Sequence, residues 1–188
     1  STGTIGEVSK ELAVLKKKAA NFKKIFLICG NHDWLGERNP ALMRQMCTDN
    51  GIDYLCHEKA IYNGFTFFGS PYTPAFGGWA FNVPRGWMLS AKWDYIPPNT
   101  DVLITHGPPH GILDSNSSGE ACGCEALYRS IKARTIKAHV FGHIHESWGT
   151  LQENGTTYIN ASICDADYDT TNKPISFTLT KEGIINGN

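Results

Sequence analysis

Charge of one sign is what this 188-residue chain most plainly lacks: 17 basic and 18 acidic side chains leave a net charge of -1. No basic run exceeds Lys16-Lys17-Lys18, which excludes a polybasic module for a nucleic-acid polymer or a membrane surface. No apolar stretch approaches the ~20 residues of a bilayer span. No signal-peptide pattern opens the chain. Internal repeats, low-complexity tracts and linkers are missing as well. Cysteine is scarce, with six residues at 29, 47, 56, 122, 124 and 164. A chain this long that is 41% hydrophobic needs no disulfide staples, so free thiols and a reducing, cytoplasmic compartment are expected. Cys122-x-Cys124 has no second Cys or His pair at matching spacing, which sets aside a structural zinc site.

The 19 glycines and 9 prolines are scattered without period, so a collagen-like chain is excluded, and the apolar content excludes disorder. At ~100–200 residues per domain the length corresponds to a single domain over 1–188. The first residue is Ser1 rather than Met, from which a processed chain or a piece of a longer one is expected.

Hydrophobic periodicity predicts an amphipathic helix over 6–22, with Val8, Leu12, Leu15, Ala19 and Phe22 on one face. Residues 24–29 form an apolar run of strand length, the pattern of a strand buried on both faces. Asn39-Pro40 opens a short helix to about Thr48. Asn63-Gly64 between apolar runs marks a type I′ hairpin. Residues 71–99, rich in Pro, Gly and Trp, predict a long ordered loop. Buried strands are expected over 101–105 and 138–141, a polar loop over 115–123 and a helix over 125–134. Strands over 147–152, 156–160 and 175–180 complete the chain, giving an α/β reading.

Three of these strands end alike. The first runs into Gly30-Asn31-His32-Asp33, the second into His106-Gly107-Pro108-Pro109, the third into Gly142-His143-Ile144-His145. Sites in α/β sheets form outside the carboxyl ends of strands. Four of the seven histidines and one asparagine sit at those ends, each near a glycine that permits close backbone approach. Imidazole nitrogens and an amide oxygen suit Zn, Mn or Fe. Asp33 is placed to orient the ring of His32.

Gly-Asn-His-Asp, Thr-His-Gly-Pro-Pro and Gly-His-x-His, in this order, resemble the calcineurin-like metallophosphoesterases. Gly69 to Pro74, Gly78 to Gly86, His139 to Glu146 and Tyr158 to Ser162 are similar to the metallophosphoesterase-domain-containing (239-type) subgroup. The resemblance implies a β-sandwich flanked by helices that holds two divalent metal ions (Mn, Fe or Zn). It implies that Asn31, His106 and His143 ligate the second metal and His145 the first. It implies that His32 contacts the phosphate and acts as the leaving-group acid, with Asp33 orienting it. The implied reaction is hydrolysis of small phosphodiesters, such as cyclic nucleotides. Its physical logic is that two cations ~3.5–4 Å apart neutralise phosphoryl charge and activate water, while an imidazolium protonates the leaving alkoxide.

The family's Asp-x-His and Gly-Asp motifs, which supply the carboxylates of the centre, are not in this sequence. Ser1-Thr2-Gly3 aligns just after the Gly-Asp position, so the fold is expected to lack its first strands. An all-neutral donor set is expected to hold at most one ion, weakly, and to give this chain little or no activity by itself. The alternative is a catalytically inactive scaffold or truncated isoform. Arg85 either pairs with substrate phosphate, beside a pocket walled by Trp79, Phe81, Trp87 and Trp93, or serves as a packing and capping residue. His57 and His110 are read as surface residues and His139 as a core histidine. Glu146 is either a partner of His145 or solvated. The sequence leaves the oligomeric state open.

Overall fold

The computed structural model describes residues 3–186, so the reading of Ser1-Thr2 lies outside the described residues. The first helix, α1 (Ile5–Lys18), starts at a capping box: Thr4 accepts from the Glu7 N–H while the Glu7 carboxylate accepts from the Thr4 N–H. Lys16, Lys17 and Lys18 occupy its last turn, where the helix dipole favours cations. It buries Val8 and Leu12 but ends four residues before Phe22, which is 71% exposed instead of continuing the apolar face.

The expected interior strand over 24–29 shrinks to β1 (Phe26–Leu27), half-buried rather than enclosed. Its ladder partner among the described residues is the parallel β2 (Asp53–Tyr54). Between them lie α2 (Trp34–Arg38), which the sequence reading did not anticipate, and α3 (Pro40–Asp49). The latter is capped by Asn39, whose side chain accepts from the Leu42 N–H, with Pro40 at the first helical position.

A six-stranded sheet forms the centre. The hairpin β3 (Glu58–Tyr62) and β4 (Phe65–Ser70) turns at Asn63 and Gly64, both with positive φ (49° and 76°), as a type I′ turn requires. Beyond it come β7 (Val102–Thr105), β8 (Ala138–Phe141), β9 (Gly149–Glu153) and β10 (Thr156–Asn160). The spatial order is β3-β4-β7-β8-β10-β9, with β4, β7, β8 and β10 parallel and antiparallel strands at both edges. Register pairs Ser70 with Thr105 and Phe141 with Asn160, so the loops leaving these strands emerge side by side. At the opposite end Asp101 accepts from the Thr66 N–H at 2.8 Å and pairs with Lys137, tying three strand starts together.

Residues 71–99 are not one loop. They hold the small parallel pair β5 (Thr73–Pro74) and β6 (Asn82–Val83), then α4 (Trp87–Trp93). Helix α4 buries Leu89 and Trp93 against α5 (Glu125–Lys132), where the Trp93 indole N–H donates to Cys124 Sγ at 3.3 Å. A terminal hairpin, β11 (Phe177–Leu179) and β12 (Ile184–Asn186), follows; its second strand was not anticipated. The architecture is a mixed α/β fold with a central sheet and helices, as expected. One buried cluster joins the sheet to α4 and α5, the other joins α1 and α3 to β1 and β2, and Tyr72 packs against both. All six cysteines are free. No helix among the described residues is long and apolar enough to cross a membrane.

Two histidines are withdrawn from solvent, His139 fully and His57 in part, for reasons the sequence hid or half showed. His139, in β8, is fully buried as expected, with Nε2 bonded to Thr105 Oγ1 at 2.8 Å. Its Nδ1 has no partner. His57 is not a surface residue: its ring lies edge-on among Phe68, Tyr72 and Tyr95, with Nδ1 bonded to Ser70 Oγ. Burial pushes His139 down to about 3; burial, then nearby Lys92, pushes His57 down to about 4. In the unfolded chain both ionise near the ordinary 6.5. The unfolded chain therefore binds more protons from about pH 6.5 down to about 3, and stability falls as pH drops through that window. The urea midpoint is expected to fall between pH 7 and pH 4.5, and His139→Gln is expected to flatten that dependence. Equal slopes for the two proteins would contradict this account.

Candidate metal centre

The candidate donors arrive from three strand ends. Gly30 follows β1, and a Cβ on it would lie 2.5 Å from His106 Cε1 and 2.7 Å from Nδ1, so the His106 ring rests on bare backbone. Beyond it Asn31 projects its amide: Oδ1 stands 2.9 Å from His106 Nε2. His106 leaves β7, and its carbonyl accepts from the Gly142 N–H at 3.0 Å, which stitches that strand end to the end of β8. Past Gly142, His143 adopts φ +72°, a left-handed conformation rare for a side-chain-bearing residue, and brings its ring within 4.7 Å of the His106 ring. Backbone strain of this kind persists where the surroundings over-determine it. His145 opens a single 3₁₀ turn (His145–Ser147), with Nδ1 2.9 Å from the Asp165 carbonyl oxygen.

Two of these imidazoles, His106 and His143, are held toward the neutral form. Burial first, then the neighbouring His143, His32 and His145, push His106 down to about 3. Burial, then His145 and His32, lowers His143. Crowding several would-be cations in a desolvated pocket favours their unprotonated forms, which are the forms that bind metal. The Asn31 amide oxygen and the His106 nitrogen lie as close as two donors around one ion; a proton on His106 Nε2 makes the same contact a hydrogen bond to the amide oxygen, and a cation would take that proton's place. Asn31 and His106 could therefore share a divalent cation, with the His143 ring alongside. No group of three or more His, Cys, Asp or Glu side chains among the described residues forms a metal site, so no carboxylate completes the donor set.

Other expected residues fall elsewhere. The Asp33 carboxylate does not orient His32; Oδ2 accepts from the Gly30 N–H at 2.6 Å and so ties the turn that presents Asn31. The His32 ring instead packs on Trp79, with centroids 4.3 Å apart. Trp79 is fixed from behind, because the Ala80 N–H donates to the Asn31 carbonyl at 3.0 Å. Arg85 does not serve as a free phosphate clamp. Its guanidinium donates to the Gly123 and Cys122 carbonyls and pairs with Glu125 at 2.7 Å, so it caps the loop before α5. Glu146 accepts from the Ser117 N–H rather than from His145. His110 is half exposed beside Asp114, as read.

Three supports escaped the sequence reading. Asn160, buried at the end of β10, donates to the Leu113 and Ile144 carbonyls and so holds the backbone before His145. Thr105 Oγ1, backed by His139, donates to the Gly107 carbonyl at 2.7 Å and shapes the turn behind His106. Asp165 receives His145. A polar residue closing an otherwise apolar strand was the available signal for Asn160 and Thr105. For Asp165 the Asp165-x-Asp167-x-Asp169 run marks a turn but not its partner.

A model of the calcineurin-like phosphoesterase family matches residues 3–147. Human metallophosphoesterase domain-containing protein 1 is 44% identical over 128 residues, covering 67% of this chain and 39% of that protein. A UPF0046 protein of Caenorhabditis elegans is 33% identical over 190 residues, covering 93% of this chain and 64% of that protein. The chain thus spans about two fifths of the human relative's length. Among solved structures, the phosphopantetheinyl hydrolase of Mycobacterium tuberculosis aligns with a TM-score of 0.57 at 15% identity, over 88% of this chain and 77% of that one, a likeness of fold alone. Calcineurin-like phosphoesterases typically use divalent metals to hydrolyse phosphoesters. The family model runs from the first described residue to the turn that carries His145, across every candidate donor, and the chain belongs to the calcineurin-like phosphoesterase family.

Proposed function

We propose that this chain carries the Asn31, His106 and His143 half of a phosphoesterase metal centre, and that the protein to which it corresponds hydrolyses small phosphodiesters, cyclic nucleotides among them. The observation that carries this reading is the convergence of Asn31 Oδ1 and His106 Nε2 to 2.9 Å, with the His143 ring alongside, from separate strand ends. A bound cation supplies charge neutralisation for the phosphoryl group and a lowered pKa for water. The chain's own residues do the rest. His32, whose ring packs on Trp79 and which adjoins Asn31 in sequence, is the residue that would hand a proton to the leaving oxygen. The neutral forms of His106 and His143 leave their ring lone pairs available to a cation. Near-balanced surface charge supports a small substrate rather than a nucleic-acid polymer or a membrane. Six free thiols support a reducing, cytoplasmic setting.

A second reading, a phosphoesterase fold used as a non-catalytic scaffold, is favoured by one observation: among the described residues no carboxylate joins the donor set. A bridging carboxylate is what would hold two cations at a fixed spacing, so the chain alone is expected to bind one ion and to turn over slowly or not at all. Calorimetric titration with Mn²⁺ is expected to give one weak site per chain. Two ions bound, or hydrolysis of bis-p-nitrophenyl phosphate at the rate of a longer form of the protein, would refute the one-ion account. No binding at all would favour the scaffold.

Gly30→Ala separates geometry from chemistry, since it removes no donor group. The added Cβ forces the His106 ring off its seat, so Mn²⁺ affinity is expected to drop about 10-fold or more, comparable to His106→Ala. Wild-type affinity in Gly30→Ala would show that His106 is not a ligand.

A further inference from the structure

We propose that the loop 165–171 is the positioning element of His145: the Asp165 carbonyl fixes which ring nitrogen is free, and Tyr168 fixes the ring plane. The proposal rests on the metal-centre reading for why His145 needs positioning, but its structural content is independent of it. A carbonyl oxygen only accepts, so the 2.9 Å contact requires the proton on His145 Nδ1 and leaves Nε2 with a bare lone pair. That is the tautomer a ligand or a proton acceptor needs at Nε2.

The carbonyl is held as firmly as a loop allows. The Asp165 N–H donates to the Asp169 carbonyl at 2.9 Å, and the Asp165 carbonyl also accepts from the Tyr168 N–H at 3.1 Å. Its carboxylate accepts from the Asp167 and Asp169 N–H groups at 3.1 and 3.0 Å and from Thr171 Oγ1 at 3.0 Å. The carboxylate is thus spent on the loop itself; it is not offered to a cation. Asn172 anchors the far end, donating from its amide to the Ser162 and Cys164 carbonyls. The ring of Tyr168 meets the His145 ring edge-on, centroids 5.0 Å apart at 79°. To reach it Tyr168 adopts φ +67°, a conformation that an aromatic residue does not take up without cause. The same strand end holds the other side of His145, through Asn160 and the Ile144 carbonyl. A loop serving only to connect β10 to β11 has no need of a strained tyrosine over an imidazole.

The test uses the 188-residue chain without metal. Long-range ¹H–¹⁵N NMR is expected to show His145 as a single tautomer with the proton on Nδ1. Asp165→Ala is expected to give averaged ring-nitrogen shifts, and Asp165→Asn, which keeps an oxygen acceptor, to restore much of the wild-type pattern. Tyr168 is largely exposed and its backbone suits glycine, so Tyr168→Gly gives a variant that keeps its fold if Asp165→Ala does not. It is expected to keep the tautomer while broadening the ring signals. Zn²⁺ added to the wild-type chain is expected to move the ring signals of His106 and His143. A wild-type ring protonated on Nε2, or ring signals unmoved by both Asp165→Ala and Tyr168→Gly, would overturn the proposal. A locked tautomer released by Asp165→Ala, with no Zn²⁺ response at any histidine, would uphold the positioning role and remove the metal reading instead.

Discussion

One amide–imidazole contact, Asn31 to His106, joins two parts of the fold that have separate cores. Asn31 belongs to the layer of α1, α3 and the β1–β2 ladder; His106 belongs to the central sheet. Neither layer contains the site. It exists only while the two are packed with their strand ends level, as Tyr72 and the Phe26–Phe67 ring contact keep them. Within the sheet the constraint is register: parallel pairing of β4, β7, β8 and β10 delivers their loops to one edge, as open α/β sheets do.

The parts of this arrangement legible in the sequence were those whose cause is local. An apolar run that stops at a glycine and a histidine announces a strand end, and Asn63-Gly64 announces its turn. Capping residues placed α3 and the β-branched and aromatic runs placed β7 and β8. What escaped was set by partners distant in the chain. Arg85 finds its acceptors 37 to 40 residues away, so phosphate and capping roles read alike until the fold is known. His57 is enclosed by Phe68, Tyr72 and Tyr95, none of them adjacent to it in sequence. Helix α4 was hidden by its brevity: seven residues between Gly86 and Asp94 carry too little periodicity to stand out, yet Leu89 and Trp93, four apart, are buried against α5. Asp33 shows a subtler case. Its neighbour in sequence is His32, but a carboxylate three residues after a glycine closes the turn instead.

The donor set and the family membership bear on different questions. Membership speaks for metal-dependent phosphoester hydrolysis in general. The candidate donors show what the turns bring together: an amide oxygen and imidazole rings, with burial and mutual repulsion keeping His106 and His143 from carrying charge. Around them a ring of uncharged supports (Thr105, His139, Asn160 and the Asp165 carbonyl) holds the turns without adding charge of its own. The resulting pocket is pre-shaped but electrostatically unfinished.

The two-residue length of β1 has a dynamic consequence. Local opening free energies follow how many ladder bonds and buried contacts a segment shares with its neighbours. Among the described residues Asn31 and His32 follow a strand paired with one equally brief partner, whereas His106 and His143 follow strands flanked on both sides. The pocket is therefore built from a compliant wall and a rigid one. Amide protons over 26–33 should exchange with solvent well before those of the central strands, and whatever binds between the walls would slow that exchange on one side only.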